Sequence, residues 1–122
     1  ILVMNPKILL VDEPTTGQDP ERARGIMRLI TELNREKKIT VIAITHDMDL
    51  VIEFAERVIA MGKGEILLDG SPEEVFSQQD ILAKTFVAPP QIVRLGLELG
   101  IDPLPLNVKD LSAQIAIKLK NA

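Results

Sequence analysis

Lys7-Ile8-Leu9-Leu10-Val11-Asp12-Glu13-Pro14 is a short aliphatic run that ends abruptly in two carboxylates and a proline. The run suits a parallel strand buried on both faces, with its carboxyl end opening into a polar site. A buried strand is favoured over a short helix. Asp12 and Glu13 sit where the strand gives way to a loop, and alternation along a strand aims their side chains in different directions.

Working outward, Asp19 can cap a helix and Pro20 suits its first position. Ala23, Ile26, Ile30 and Leu33 then form an apolar stripe, supplemented by Leu29, and the helix is expected to end near Lys37. Ile39 to Thr45 reads as a second strand. Asp47 begins another helical stretch, in which Val51, Phe54, Ala55 and Val58 have suitable spacing. Strand, helix, strand, helix implies α/β packing around a parallel sheet. Arg57 to Met61 and Glu65 to Asp69 read as two strands meeting at the Gly62-Lys63-Gly64 turn, with an open register. Ser71-Pro72-Glu73-Glu74 combines an N-cap, a proline at the first helical position and a glutamate three residues after the cap, so a short helix follows. Pro89-Pro90 marks the clearest boundary, and Pro103 and Pro105 interrupt the stretch after Ile92 to Leu99. A last helix starts near Asn107 and places Val108, Leu111, Ile115 and Leu119 on one side. The expected organisation is an α/β portion over residues 1–88 and a helical extension over 89–122. Ile1-Leu2-Val3-Met4 reads as the tail of an interrupted helix.

The 122 residues, 46% hydrophobic and 26% charged, have a soluble globular balance and argue against a disordered or fibrous chain. Fourteen Lys and Arg against 18 Asp and Glu give a net charge of -4 without a basic block, so no nucleic-acid partner is expected. Without cysteine there is no disulfide staple, cysteine metal site or cysteine nucleophile, and the single histidine excludes a histidine-cluster metal site. No apolar run reaches the roughly 18 to 20 residues that a spanning helix needs. No repeat or low-complexity tract is present.

Three places could carry chemistry. One carboxylate of Asp12-Glu13 can hold hydrated Mg²⁺ beside nucleotide phosphates while its neighbour orients or deprotonates an attacking water. The plain alternative is that both terminate the strand and cap adjacent structure. Thr15-Thr16-Gly17-Gln18-Asp19-Pro20 is a hydroxyl-rich turn whose Asp19 satisfies backbone N–H groups at the helix start. Neither threonine has a local triad to activate it as a nucleophile. His46 follows the second strand, where it is either a structural histidine or an imidazole placed to bond a phosphate oxygen or attacking water.

Taken together, Ile8-Leu9-Leu10-Val11-Asp12-Glu13-Pro14-Thr15, Gly17-Gln18-Asp19-Pro20 and Ala43-Ile44-Thr45-His46-Asp47 resemble the nucleotide-binding subunit of an ATP-binding cassette transporter. Gly64 to Asp69-Gly70 and Ser71 to Phe76 continue the resemblance. Pro89-Pro90-Gln91-Ile92-Val93-Arg94-Leu95 resembles the energy-coupling-factor and cobalt-type importer branch. The resemblance implies a partial P-loop NTPase core with a parallel sheet and a helical C-terminal extension. It makes Asp12 the Walker B aspartate that organises Mg²⁺, partly through water, and Glu13 the catalytic glutamate that polarises water. Asp19 becomes a D-loop residue at the nucleotide interface, and His46 a switch histidine on the γ-phosphate. In the family the D-loop more often carries a small residue at the Thr16 position and Leu at that of Gln18.

The resemblance further implies ATP and Mg²⁺ as cofactors of a complete subunit that powers import of a micronutrient, a vitamin or transition-metal ion. The partners would be the N-terminal half of the same subunit, a second ATPase subunit in a nucleotide sandwich, and transmembrane subunits that hold the assembly at the cytoplasmic face of the membrane. No Gly-rich loop ending in Gly-Lys-Ser/Thr and no Ser-Gly-Gly signature occur in this sequence, so ATP hydrolysis is not expected of it alone. The expected origin is a C-terminal part of a roughly twofold longer subunit. Two other classes share some of these features. One is the C-terminal ATPase segment of a chromosome-maintenance or DNA-repair protein, disfavoured by the lack of a heptad tract and by the Gly64 to Phe76 resemblance. The other is a non-catalytic regulatory or assembly fragment, discriminated by nucleotide-independent association with an N-terminal half.

Overall fold

A computed structural model describes residues 5–122 and divides the chain into two compact units, Ile1–Leu50 and Val51–Ala122. The helical reading of Ile1 to Met4 falls outside the described residues.

In the first unit, strand β1 (Ile8–Asp12) pairs in parallel with β2 (Thr40–Ile44), and helix α1 (Pro20–Lys37) forms the crossover between them. The register runs from Ile8 opposite Thr40 to Asp12 opposite Ile44. Paired residues share a face, so Leu9, Val11, Val41 and Ala43 lie on one side and Ile8, Leu10, Asp12, Ile42 and Ile44 on the other. Leu9 is buried, whereas Ile8 and Leu10 are 60% and 61% exposed and Ile42 and Ile44 48% and 51%. This corrects the expectation of a strand buried on both faces. The strand runs are aliphatic throughout, as a two-sided sheet requires, but among the described residues one face is open and the other only partly covered, with Val11 and Val41 half-buried and Ala43 exposed.

Helix α1 buries Ala23 and Met27, with Ile26, Ile30 and Leu33 half-buried beside them. Leu29 does not join the stripe and is 57% exposed. It lies one residue, roughly 100°, around the helix from Ile30, while Met27 falls in line. The helix ends at Lys38, whose φ of 52° is left-handed, and Asn34 Nδ2 donates to Ile39 O at 2.7 Å to hold the exit.

Helix α2 (Met48–Phe54) is shorter than its apolar spacing implies. Ala55 is past its end and Val58 begins the next strand, so the stripe continued through Val58 is a coincidence of spacing. In the second unit, β3 (Val58–Gly62) and β4 (Glu65–Gly70) form an antiparallel hairpin. Lys63 and Gly64, at φ 53° and 83°, make the two-residue turn, and the pairing shifts by one between Ala60 and Met61, leaving Leu67 as the extra residue. Arg57 forks onto Asp69, with Nε and Nη2 donating to the two carboxylate oxygens at 2.7 Å each.

Helix α3 (Pro72–Ser77) opens with the expected capping box. Glu74 N–H donates to Ser71 Oγ at 3.3 Å, and Ser71 N–H donates to Glu74 Oε2 at 2.7 Å. It packs on the hairpin and buries Val75 and Phe76 completely. Burying a side chain of that size contributes about 1.5 to 3 kcal/mol. Helix α4 (Gln79–Leu82) and a 3-10 turn (Ala83–Thr85) follow without a side-chain cap. Helices α5 (Gln91–Glu98) and α6 (Val108–Lys120) come after Pro89-Pro90 and pack against each other, and Val93, Leu104, Pro105 and Leu111 are buried in this part of the chain. α5 ends in a Schellman arrangement, with Ile101 N–H bonded to Gly96 O and Gly100 N–H to Leu97 O. In α6 only Leu111 of the expected stripe is buried and Ile115 is half-buried, while Val108 and Leu119 are exposed. Helical spacing sets which residues share a face, and the neighbour covers only part of that face. Among the described residues no helix is long and apolar enough to cross a membrane.

Candidate active site

The carboxyl ends of β1 and β2 carry Asp12 and His46 into adjacent loops, both within the first unit. Glu13 N–H donates to Ile44 O at 2.8 Å, which extends the strand pairing one residue past Asp12. Glu13 then takes φ 46°. The residue before a proline favours extended backbone, so a left-handed Glu13 ahead of Pro14 is locally costly and is held by its surroundings.

Two overlapping turns shape the loop that follows. Thr16 N–H donates to Glu13 O at 3.2 Å and Gln18 N–H to Thr15 O at 3.1 Å, with Thr15 buried beneath them. Gly17, at φ 77°, permits the second turn. On the other strand, Asp47 N–H donates to Thr45 Oγ1 at 3.0 Å and Leu50 N–H donates to Asp47 Oδ1 at 3.2 Å. His46 is thereby pinned between a threonine turn and the start of α2.

The two loops bring Glu13 and His46 together, with His46 Nδ1 2.7 Å from Glu13 Oε1. The Thr16 hydroxyl donates to Glu13 Oε2 at 3.2 Å. The histidine contact and, less strongly, the threonine hydroxyl lower the Glu13 pKa below its ordinary value against an opposing cost of desolvation. The same contact raises that of His46, first through the hydrogen bond and then through the carboxylate's charge. His46 is 81% exposed and Glu13 33%, so both face a site open to solvent.

Asp12 is exposed on the open face of the sheet, and among the described residues its carboxylate has no hydrogen-bond or ion-pair partner. No group of three or more His, Cys, Asp or Glu among the described residues could cage a metal ion. Mg²⁺ does not need such a cage, because it keeps several waters and is commonly held by one or two carboxylates together with substrate phosphates. A free carboxylate at a strand end fits that mode.

Asp19 is engaged by its own helix. Its Oδ1 accepts from Glu21 N–H at 3.1 Å and Arg22 N–H at 3.0 Å, and Arg22 Nε lies 3.4 Å from its Oδ2. The structure therefore gives Asp19 a capping role, and does not join it to Glu13 and His46. Thr16 was the member of the cluster that sequence reading missed. The signal was its position three residues after Glu13 across a proline, the spacing of a tight turn.

Comparison with known proteins adds an independent line. A family model described as "AAA domain, putative AbiEii toxin, Type IV TA system" matches residues 1–53, less than half of the chain. The energy-coupling factor transporter ATP-binding protein EcfA2 of Clostridium perfringens (strain SM101) is 41% identical over 95 residues, 78% of this chain and 33% of that protein. The corresponding protein EcfA of Methanothermobacter thermautotrophicus is 39% identical over 109 residues, 89% of this chain and 35% of that protein. Among solved structures, cbiO1 from Clostridium perfringens, titled as part of the ABC transporter complex cbiONQ, superposes with a TM-score of 0.59 at 39% identity, covering 82% of this chain and 39% of that one. The chain spans less than half of the length of these curated relatives, and 19% to 44% across the eight compared.

Proposed function

Because this chain is part of an ABC-type transporter ATP-binding subunit of the energy-coupling-factor, cobalt-type branch, we propose that it supplies the hydrolytic side of the nucleotide site. The observation that carries the reading is the meeting of Glu13 and His46 at 2.7 Å, next to Asp12, whose carboxylate has no partner among the described residues, at the carboxyl ends of two parallel strands. Ligands of open α/β sheets bind at that end. In this reading Glu13 accepts a hydrogen bond from the attacking water and aligns it on the γ-phosphate of ATP, and His46 turns its imidazole to a γ-phosphate oxygen. Asp12 would hold Mg²⁺ through its carboxylate, partly by way of water. When bound, the ion neutralises charge on the phosphate oxygens. Asp19, engaged at the start of α1, fixes the loop that meets the opposing site in a paired subunit.

The sequence contains no phosphate-binding loop ending in Gly-Lys-Ser/Thr, so the cradle for the phosphates is assigned to the N-terminal half of the same subunit. The exposed apolar face of Ile8, Leu10, Ile42 and Ile44 supports that assignment, since it carries Asp12 and calls for a covering element. Residues 1–88 belong to the ATPase portion and 89–122 to a helical extension. The complete subunit pairs with a second ATPase subunit and docks on transmembrane subunits at the cytoplasmic face of the membrane, where hydrolysis drives uptake of a vitamin or transition-metal ion. The test is Mg·ATP hydrolysis by the intact subunit carrying Glu13→Gln. A general base contributes typically about 10² to 10⁴ in rate, so hydrolysis falls by at least about 100-fold while ATP still binds. Hydrolysis at the wild-type rate removes Glu13 from the chemistry.

A further inference from the structure

We propose that Thr16 is a positioning residue for Glu13, its hydroxyl fixing the carboxylate so that one oxygen is presented to water. The inference rests on the reading above, in which Glu13 polarises the attacking water. Thr16 Oγ1 donates to Glu13 Oε2 at 3.2 Å, while His46 Nδ1 occupies Oε1 at 2.7 Å. The carboxylate is thus held from two sides, by the loop after β1 and by the loop after β2. Thr16 is itself placed by the backbone, since its N–H donates to Glu13 O and the next turn, over buried Thr15, continues the same path. One hydrogen-bonded turn therefore sets both the left-handed Glu13 and the hydroxyl that reaches its side chain.

When His46 leaves for a phosphate oxygen, Oε1 becomes available to water and Thr16 still holds Oε2. Without the hydroxyl the carboxylate of a half-buried loop residue open to solvent samples other rotamers, and only a fraction of encounters present a correctly oriented oxygen. Serine keeps the hydroxyl. Valine keeps the β-branched shape and loses it.

The experiment compares wild type, Thr16→Val, Thr16→Ser and Glu13→Gln in the intact ATP-binding subunit assembled with its transporter partners, using Mg·ATP. Thr16→Val lowers kcat by about fivefold with KM unchanged, the pattern of an interaction made in the transition state, and Thr16→Ser recovers the rate. In the nucleotide-free subunit, Thr16→Val also shifts the His46 ring-nitrogen resonances, assigned with a His46→Gln sample, without moving the melting temperature. Wild-type kcat and unshifted His46 resonances in Thr16→Val, with Glu13→Gln inactive, overturn the positioning role alone. A lowered melting temperature with kcat retained reduces Thr16 to a turn-stabilising residue and also overturns it. Undiminished hydrolysis by Glu13→Gln overturns the reading of the site, and the positioning role with it.

Discussion

Glu13 and His46 are 33 residues apart in sequence, and Oε1 of one lies 2.7 Å from Nδ1 of the other. Parallel pairing of Asp12 with Ile44 makes this possible, because it ends both strands at the same level and lets each following loop begin there. Since the carboxylate holds the imidazole in its charged form, His46 titrates above the ordinary imidazole value of about 6.5.

The sign of the accompanying stability term follows from the two directions. The histidine's share is complete below about pH 6.5 and fades as pH rises through its raised midpoint, whereas the lowered Glu13 contributes above about pH 4.3 and loses its share in acid. An NMR titration of His46, the sole histidine of this sequence, reads the midpoint directly. Glu13→Gln returns it toward 6.5. A midpoint that ignores this substitution would mean that the pair does not form in solution.

Lys38 closes α1 at φ 52°, a conformation that costs a residue with a Cβ about 1 kcal/mol and that glycine adopts freely. Lys38→Gly is therefore expected to stabilise the chain by up to about 1 kcal/mol despite the added freedom of glycine in the unfolded state. Thermal unfolding checks this, and a melting temperature below that of wild type contradicts it.

Local chemistry made much of the fold readable. Asp19-Pro20, Ser71-Pro72 and Asn107 announce helix starts through groups that bond their own backbone, and each is found as the cap. Lys63-Gly64 likewise marks a turn that needs two positive φ values. Exposure of Leu10, Leu29, Val108 and Leu119 was not readable, because periodicity tells which residues share a face and not what covers it. At the site, residue types pointed to Asp12, Glu13 and His46, but the left-handed Glu13 runs against the preference of a residue before proline. The Thr16 contact depends on that conformation and so was hidden with it.

Gly96 sits inside α5, where alanine would ordinarily gain about 1 kcal/mol of helix propensity. Here a Cβ would fall 2.5 Å from both Cδ and Cγ of Pro105, a fully buried ring with no room to retreat. The overlap outweighs the propensity, and Gly96→Ala destabilises by about 1 to 3 kcal/mol. Urea unfolding of the variant measures the change. A gain in stability would show that α5 and the Pro105 segment separate at little cost.

Ser71 and Glu74 give the second unit a pH-dependent element of its own. Ser71→Ala removes one side of the capping box and costs about 1 kcal/mol at neutral pH. The reciprocal bond works through charge, since Ser71 N–H donates to the Glu74 carboxylate and lowers its pKa below the ordinary glutamate value. A lowered carboxylate stabilises above its unfolded pKa and loses that stabilisation as pH falls through the folded one. The penalty of Glu74→Gln is thus expected at pH 7 and shrinks steadily below about pH 4.3, where wild type becomes protonated as well. Paired unfolding curves of wild type and Glu74→Gln at the two pH values decide it. A penalty that is the same at both would assign the effect to the shape of the side chain, and the charge would have no part in holding the start of α3.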